Sequence, residues 1–234
     1  MRIYMKLSDR LLQVAGMVSE CDVVADIGTD HGYVPMYLVE QGRCKRAIAM
    51  DINRGPLERA AENIHREQLD EKIETRLSDG LDALNPNEAN TIIVAGLGGE
   101  LMVRILENGK DVLKTVEELI LSPHSEWNYV RKHLIQNGYV IREEQMLLDE
   151  GKYYVVLKVT HGQEQEVYTE EEFSYGRYLI RGRHPILLEY LKKEHKKYSE
   201  ILAGMMQHDT LQVKTRMEEI KNELQMIEKV LKKY

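Results

Sequence analysis

The sequence predicts an α/β protein whose mostly parallel sheet is covered by helices and closed by an antiparallel hairpin, with a helical hairpin after it. Short apolar, β-branched runs alternate with longer helical patterns between residues 20 and 160. Two strand-like runs around a tight turn follow, and a heptad pattern ends the chain. The 234 residues suit one α/β domain with a small appendage, so we expect one active site.

The parallel part of the sheet is predicted from five apolar runs with helical patterns between them. The predicted strands are residues 23–27, 47–51, 73–77, 91–95 and 119–122. The predicted helices are residues 34–41, 55–67, 100–108 and 126–137. Because strands and helices alternate, the strands are expected to run parallel with crossover helices between them.

The rhythm changes at residues 139–148 and 153–161, two further strand-like runs separated by the turn Asp149-Glu150-Gly151-Lys152. So short a connection can only make an antiparallel hairpin. Dinucleotide-binding sheets end in parallel strands, whereas a closing antiparallel hairpin resembles the Rossmann-like sheet of class I methyltransferases. The hairpin therefore separates this chain from nicotinamide dehydrogenases.

The C-terminal part is predicted to be a separate helical hairpin. Residues 163–172 are rich in Gln and Glu and read as a linker, which divides the chain into domains 1–162 and 163–234. Two amphipathic helices follow, with a turn near residues 207–210 and Asp209 as the expected N-cap. The a/d positions of the last helix are Val213, Met217, Ile220, Leu224, Ile227, Leu231 and Tyr234. Those of the preceding helix are Leu188, Leu191, His195, Tyr198, Leu202 and Met205, so the two helices should pair antiparallel.

Charge is distributed unevenly along the chain. The net charge is −7, yet residues 173–234 hold 13 Lys and Arg against 8 Asp and Glu, a balance of +5. The basic cluster of Lys192, Lys193, Lys196 and Lys197 is interpreted either as a solvated helix face or as an RNA-contacting face. The amino-terminal segment carries charges and has no long apolar run, which predicts a cytoplasmic protein without a membrane span.

The two cysteines, Cys21 and Cys44, stand apart from any Cys-x-x-Cys or His cluster. That pattern argues against a disulfide framework and a zinc site, so no metal is expected. Reduced, structural thiols are the simplest interpretation.

The strongest local signal is the run Val23 to Tyr33, in which an apolar strand leads into a loop with two glycines and then a helix. Gly28 permits a tight turn, Gly32 permits close packing, and the helix N-terminus presents free N–H groups. The spacing is not the G-x-G-x-x-G of nicotinamide binders, and the acidic Asp30 disfavours a pyrophosphate. A sulfonium cofactor suits this loop better.

Two acidic positions extend this prediction. Asp51 ends the next predicted strand, where a carboxylate can accept hydrogen bonds from both ribose hydroxyls of an adenosyl group. A helix N-cap is the alternative for Asp51, since Asn53 and Pro56 also mark a helix start. Asp79 and Gly80 end the third strand, where an acid can accept from the adenine amine. Together these positions predict an adenosyl pocket.

The fourth strand ends in the glycine-rich sequence Ala95-Gly96-Leu97-Gly98-Gly99. Amine-methylating enzymes carry an Asn or Asp, two prolines and an aromatic residue at this position. With almost no side chains, this loop can bring its backbone close to a flat acceptor, although a flexible turn is the alternative.

These features together resemble the bacterial tRNA (adenine-N1)-methyltransferases that modify adenosine 22 in the D-arm. The resemblance rests on Leu7-Ser8-Asp9-Arg10-Leu11, residues 26–35, Asp51, Ser78-Asp79-Gly80, residues 96–99, Glu150-Gly151-Lys152-Tyr153-Tyr154 and the C-terminal coiled coil. It implies S-adenosyl-L-methionine as the cofactor and tRNA as the partner. One departure stands out: Ser122-Pro123-His124 replaces the family's usual Gln-Pro-Asn.

The site prediction follows from these motifs and the resemblance. The cofactor-binding residues expected are Asp26, Gly28, Thr29, Gly32, Tyr33, Asp51, Ile52, Asn53, Asp79, Gly80, Ala95 and Gly96. Asp30, His31 and Gly98 are the catalytic candidates, because an acid or an oriented carbonyl stabilises a cationic methyladenine. Arg10, Lys192, Lys193, Lys196 and Lys197 are the expected tRNA contacts. The alternatives are a small-molecule methyltransferase and a non-catalytic RNA-binding module, and the protein is expected to be a monomer or a weak homodimer.

Overall fold

The computed structural model describes residues 7–205 and 210–234. The chain divides into two compact units, one up to Val167 and one from Tyr168 to Tyr234. The boundary between them lies at 167/168, a few residues beyond the 162/163 predicted from composition. No helix in the two described stretches has the length and apolar character that crossing a membrane requires.

The first unit contains a seven-stranded sheet with the order β3-β2-β1-β4-β5-β7-β6. Its strands are β1 (Cys21–Ile27), β2 (Cys44–Asp51), β3 (Ile73–Leu77), β4 (Thr91–Ala95), β5 (Glu118–Ser122), β6 (Tyr139–Asp149) and β7 (Lys152–His161). The first five strands pair in parallel, and β7 pairs antiparallel with both β5 and β6. The predicted fold class is confirmed, because this is a Rossmann-like sheet closed by an antiparallel hairpin.

Helices alternate with the strands along the sequence of the first unit. They are α1 (Asp9–Met17), α2 (Tyr33–Glu40), α3 (Arg54–Arg66), α4 (Gly99–Asn108), α5 (Lys110–Leu113) and α6 (Trp127–Gln136). The four predicted helices are present within one residue at each end. The sequence prediction missed α1 and α5. Ser8 caps α1, since its hydroxyl accepts a hydrogen bond from the Leu11 amide at 3.3 Å.

The closing hairpin turns at the predicted residues. Asp149 pairs directly with Lys152, so the loop contains only Glu150 and Gly151, with φ angles of 47° and 79°. Two consecutive positive φ values are the mark of a type I′ turn, whose twist matches that of the flanking strands. The predicted turn Asp149-Glu150-Gly151-Lys152 is confirmed, and the two flanking strands each extend one residue further than predicted, to Asp149 and from Lys152.

The second unit is helical. It contains α7 (Glu170–Tyr175), α8 (Arg177–Arg181), α9 (Pro185–Met205) and α10 (Leu211–Leu231). The predicted linker at 163–172 is wrong in its last residues, because Thr169 and Glu172 form a capping box that begins α7. The predicted N-cap Asp209 lies outside the described residues, and the structure caps α10 with Thr210, whose hydroxyl accepts from the Val213 amide at 3.3 Å.

The two long helices pair antiparallel, as predicted. His195 Nε2 on α9 lies 3.3 Å from Glu228 Oε1 on α10, while the Tyr234 hydroxyl donates to the carbonyl of His184 at 3.0 Å, before α9 begins. The predicted a/d positions are buried or half-buried, with Leu191, Ile220 and Ile227 almost completely buried. His195 therefore takes part in the pairing of the two helices, as its predicted a/d position implies.

Candidate active site

The loop after β1 is tied to the neighbouring strand β2 at the carboxyl edge of the sheet. The amides of Gly28 and Thr29 donate to the carbonyl of Met50 at 2.8 and 2.9 Å. Gly28 adopts a φ of +78°, which an L side chain rarely tolerates. Because β1 lies between β2 and β4, this edge is where strand order reverses, the usual place for a ligand in such sheets.

Gly32 begins α2 and sets how closely that helix approaches α3. It is the N-cap residue, with a φ of +69°. A Cβ atom there would lie 3.3 Å from the Cβ of Ala60, so only glycine permits this approach without displacement. The side-chain amide of Asn63 also donates to the carbonyl of His31 at 3.0 Å. The close-packing role predicted for Gly32 is confirmed.

A cleft of about 330 Å³ opens beside this loop. Its lining residues are Arg10, Leu11, Asp26, Gly28, Thr29, Asp30, His31, Tyr33, Val34, Ala95, Gly96 and His124. Most of the predicted cofactor and catalytic positions therefore come together in one place. The predicted cofactor and catalytic residues that do not line it are Gly32, Asp51, Ile52, Asn53, Asp79, Gly80 and Gly98.

Asp26 is the buried acid of the cleft, with only 7% of its surface exposed. Burial raises the pKa of its carboxyl to about 6, against the opposing influence of the Thr29 hydroxyl. The neighbouring carboxylate of Asp51 raises this pKa further, and the Arg10 guanidinium lowers it. Asp26 is therefore an ionised but poorly solvated carboxylate at neutral pH, ready to gain from a cationic ligand.

Asp51 lies half-buried at the end of β2. Its Oδ1 accepts a hydrogen bond from the Asn53 amide at 2.7 Å, and Asn53 is the N-cap of α3 without a side-chain capping bond. Asp51 thus orders the turn that leads into α3, and this local role is compatible with a ligand contact. Ile52 between them is 57% exposed, an apolar surface left open beside the carboxylate.

The turn after β3 is built around Ser78. The amide of Ser78 donates to the Asp51 carbonyl at 2.9 Å, and its hydroxyl accepts from the Ala83 amide at 3.1 Å. Asp79 is exposed, whereas a Cβ on Gly80 would lie 3.1 Å from Ile105 of α4. Gly80 therefore permits packing against α4, a reason for glycine that the sequence alone did not reveal.

The two catalytic candidates on the loop already have partners. The Asp30 carboxylate is exposed and lies 2.9 Å from a guanidinium nitrogen of Arg59. His31 has a φ of +62°, and its ring stacks on Tyr33 with the centroids 5.1 Å apart. The positive φ orients the His31 ring along the rim of the cleft.

The glycine-rich turn after β4 divides into two parts. Gly96 has a φ of +83°, and a Cβ there would lie 3.4 Å from Arg10 and 3.8 Å from Nε2 of His124. Gly98 is the N-cap of α4, and a Cβ there would face the Ser125 hydroxyl at 3.4 Å. The candidate catalytic Gly98 thus faces the Ser125 side of the turn, while Gly96 faces the cleft.

The structure adds His124 and Tyr154 to the predicted site. Their rings meet edge to face with the centroids 5.5 Å apart, and the Arg10 guanidinium lies 5.3 Å from the Tyr154 centroid. Burial, Arg10 and Lys152 lower the pKa of His124. The signal for His124 was visible in the sequence as the departure directly after β5, but nothing in it placed Tyr154 beside Arg10.

Comparison with known proteins decides the family. The family model described as "TrmK: tRNA (adenine(22)-N(1))-methyltransferase" matches residues 24–229. The chain is also 33% identical over 232 residues to the tRNA (adenine(22)-N(1))-methyltransferase of Bacillus subtilis, covering 97% of this chain and 98% of that protein. This chain belongs to the TrmK family.

Solved structures of the TrmK family share the whole fold. One is Streptococcus pneumoniae Sp1610, a putative tRNA (m1A22) methyltransferase in complex with S-adenosyl-L-methionine. It has a TM-score of 0.87 and 33% identity, covering 97% of this chain and 100% of that one. Another is M. capricolum TrmK in complex with S-adenosyl-homocysteine, with a TM-score of 0.86, 28% identity, and coverage of 98% and 99%. The likeness therefore spans both units.

Proposed function

We propose that this protein transfers a methyl group from S-adenosyl-L-methionine to N1 of adenosine 22 in the D-arm of tRNA. The observation that carries the proposal is the cleft at the carboxyl ends of β1 and β4, built around the buried Asp26 in a chain of the TrmK family. The cleft supplies the acidic group and the open glycine backbone that a sulfonium nucleoside requires.

The residues present fit this cofactor. Asp26 places a carboxylate with only 7% exposure where a cationic ligand would relieve its poor solvation. Asp51 suits the ribose hydroxyls, and the exposed side chain of Ile52 suits one face of the adenine. The remaining proposed contacts are Gly28, Thr29, Gly32, Tyr33, Asn53, Asp79, Gly80, Ala95 and Gly96.

The methyl transfer requires little proton transfer by the protein. When bound, the cofactor supplies a methyl group made electrophilic by its sulfonium. Adenine N1 already has an in-plane lone pair at neutral pH, so no strong base is required. The contribution of the chain is to position the acceptor and exclude water, effects that reach about 7–11 kcal/mol in favourable cases.

The methylated adenine is a cation, and the cleft contains groups that stabilise one. Asp26 is ionised above a pH of about 6 and lies in the same cleft as Gly96. Asp30 is available only in competition with Arg59, and the His31 ring is stacked on Tyr33. We therefore place Asp26 ahead of Asp30, His31 and Gly98 as the stabilising group.

The RNA is proposed to contact the basic face of α9, defined by Lys192, Lys193, Lys196 and Lys197, together with Arg10. All four lysines are exposed. The N1 edge of a D-arm adenosine is engaged in pairing, so it must be unstacked or flipped at a cost of about a few kcal/mol, which phosphate contacts offset. The a/d side chains of α9 pack against α10 of the same chain, so we expect a monomer or a weak homodimer. We also expect the protein to be cytoplasmic.

The test is transfer of labelled methyl from S-adenosylmethionine to unmodified bacterial tRNA, with product nucleosides identified by mass spectrometry. Asp51→Ala should abolish the product, while Asp111→Ala, at an exposed carboxylate on α5, should not. N1-methyladenosine at position 22 supports the proposal. Cofactor binding without methylated tRNA would contradict it and favour a small-molecule acceptor, and RNA binding without cofactor would favour a non-catalytic module.

A further inference from the structure

Arg10 and His124 line the cleft, and the ring of Tyr154 contacts both of them; we call these three residues the acceptor wall. His124 stands two residues beyond β5, and its amide donates to the carbonyl of Leu97 at 2.8 Å. This bond fixes the backbone of His124 beside the turn that follows β4. The imidazole is therefore held at the carboxyl edge of the sheet by β4 and β5 together.

Glycine at position 96 leaves room for the acceptor wall. A Cβ on Gly96 would lie 3.4 Å from Arg10 Nη1, 3.8 Å from His124 Nε2 and 3.9 Å from its Cε1. Tyr154 supports both side chains from behind, with its ring centroid 5.5 Å from that of His124 and 5.3 Å from the Arg10 guanidinium carbon. The acceptor wall thus presents the imidazole of His124 and the guanidinium of Arg10 to the cleft, with the Tyr154 ring packed against both.

The polar atoms of the wall are available to a ligand. Within residues 7–205 and 210–234, neither ring nitrogen of His124 has a hydrogen-bond partner, and Arg10 forms no ion pair. His124 is exposed. An aromatic surface with free ring nitrogens suits a heterocyclic base, which stacks and forms hydrogen bonds in its own plane.

Burial and the charges around His124 together influence its protonation state. Arg10 faces it from α1, Lys152 and Tyr154 face it from β7, and Asp26 faces the same cleft from β1. Burial and the two cations lower the pKa of His124 below its ordinary value of 6.5. At neutral pH the imidazole is therefore neutral, with one nitrogen donating and the other accepting.

We propose that the neutral imidazole of His124 accepts a hydrogen bond from the N6 amine of the target adenine and thereby assists attack by N1. This inference rests on the proposed function and names the residue that recognises the base.

The hydrogen bond gains strength as the reaction proceeds. The N1 lone pair forms the bond to the methyl carbon while the sulfur–carbon bond breaks, and its electron pair remains on sulfur. The positive charge that develops on the adenine spreads into the N6 amine, which becomes a stronger donor. An interaction that strengthens towards the transition state raises the rate of the chemical step.

A chemical double-mutant cycle tests this contact directly. Wild-type protein and His124→Ala are each assayed with tRNA carrying adenosine or purine riboside at position 22, the latter lacking the N6 amine. Purine riboside changes the intrinsic reactivity of N1 for both proteins, and the cycle cancels that effect. We expect a coupling of about tenfold to hundredfold in kcat/KM, the range for a hydrogen bond to a charged partner.

Rescue by the residue that is usual in the family provides the second measurement. His124→Asn supplies an amide oxygen as acceptor and should recover most of the activity that His124→Ala loses. His65→Asn makes the same chemical change at a histidine whose side chain is 84% exposed, at the far end of α3, and should have no effect. No coupling in the cycle, together with no difference between the Asn and Ala variants, would overturn the inference.

The pH profile supplies a readout that a merely structural role would not move. Protonated His124 can only donate, so wild-type activity should fall as the pH drops through the lowered pKa of His124 and the pKa of about 6 of Asp26. In His124→Asn the fall should involve one proton instead of two, and the His124 imidazole should titrate in the same range by NMR. Identical pH profiles for wild type and His124→Asn would contradict the inference. Failure of the wild type to methylate adenosine 22 would contradict the proposed function instead.

Discussion

The guanidinium of Arg10 lies 5.3 Å from the ring centroid of Tyr154 and forms no ion pair in the part of the chain that the structure describes. It is half-buried, so its charge is only partly screened by water. That charge lowers the pKa of both Asp26 and His124. One cation on α1 therefore influences the protonation of two groups that line the same cleft, in addition to the larger effect of burial.

Removal of the Arg10 charge should shift the acid limb of cofactor binding. Arg10→Ala is expected to raise the pKa of Asp26 above its value of about 6, because a cation that favours the carboxylate is removed. Affinity for S-adenosylmethionine should then fall more at pH 6 than at pH 8. Isothermal titration calorimetry across this range measures the effect.

Arg10→Lys is the matched control for that variant, since it keeps the charge but loses the planar stack on Tyr154. The lysine variant should retain the wild-type pH dependence of cofactor binding while losing some affinity for tRNA. Identical pH profiles for wild type and Arg10→Ala would show that this charge does not control Asp26.

Asp26 should destabilise the ligand-free protein at neutral pH. Its pKa is raised by burial from 3.8 to about 6, so between these values the folded state binds more protons than the unfolded state. The free energy of unfolding therefore falls as pH rises through this window, by up to about 3 kcal/mol. Asp26→Asn should be more stable than wild type by about 1–3 kcal/mol at pH 7.5, with the difference gone near pH 4.

Urea denaturation of the ligand-free protein at both pH values measures this difference. Asp30→Asn is the control, because the Asp30 carboxylate is exposed and paired with Arg59, and it should change stability by less than about 0.5 kcal/mol. Asp26→Asn should also bind S-adenosylmethionine at least about tenfold more weakly, the loss expected for a charged hydrogen bond. Equal stability of wild type and Asp26→Asn at pH 7.5 would mean that water solvates this carboxylate.

A comparison of alanine substitutions at two glycines with the same φ angle separates the energy of side-chain packing from that of backbone strain. Gly32 and Gly42 both have a φ of +69°, but a Cβ on Gly32 would lie 3.3 Å from Ala60 while nothing lies within 4 Å of Gly42. Gly42→Ala should cost about 1–2 kcal/mol, the ordinary penalty of a left-handed residue. Gly32→Ala should cost clearly more and should also weaken cofactor binding, because it moves α2 away from α3 and with it the loop that begins at Gly28.

Thermal and urea unfolding of the two variants, together with cofactor titrations, give both numbers. Equal losses of stability would show that Ala60 and α3 adjust without cost. A stability loss without any effect on cofactor affinity would show that the α2–α3 distance does not set the shape of the loop.

Much of the fold was predictable because its signals are local. Buried parallel strands appear as short apolar runs, and α2, α3, α4 and α6 follow glycine, asparagine or acidic start signals. The helix α1 was missed although its signals are local, since Ser8 caps it and Val14 and Met17 bury its apolar face. The helix α7 was missed because the Gln- and Glu-rich composition hid the capping box of Thr169 and Glu172.

The sequence predicted only those parts of the candidate site that follow directly from the order of the strands. Residues that end β1 and β4 were expected at one edge, and Asp26, Gly28 and Gly96 do line one cleft. The meeting of Arg10 with Tyr154 depends on how α1 and the closing hairpin reach the same edge, which brings together residues far apart in sequence. The pairing of Asp30 with Arg59 is likewise a tertiary interaction that no spacing predicts.

The basic face of α9 should account for much of the salt dependence of tRNA binding. Lys196 and Lys197 have side chains 79% and 55% exposed, and their ion pairs with Glu200 and Glu194 are of the surface kind that contributes little. Such lysines can leave a carboxylate of the protein and bind a phosphate of the RNA with little loss of free energy. Replacing Lys192, Lys193, Lys196 and Lys197 by Gln should weaken tRNA binding at least about tenfold at low salt and reduce the log–log salt slope by about 0.9 for each phosphate that is no longer neutralised.

The matched control is the same change of charge on α10 and the C-terminal residues, with Lys214, Lys221, Lys232 and Lys233 replaced by Gln. Both quadruple variants alter the net charge equally, so a general electrostatic effect on RNA binding would weaken both to the same extent. Specific binding of phosphates by α9 would weaken only the first and would leave S-adenosylmethionine affinity unchanged in either. Fluorescence anisotropy with labelled tRNA over a series of salt concentrations separates the two cases, because the slope changes together with the affinity only where lysines bind phosphates directly.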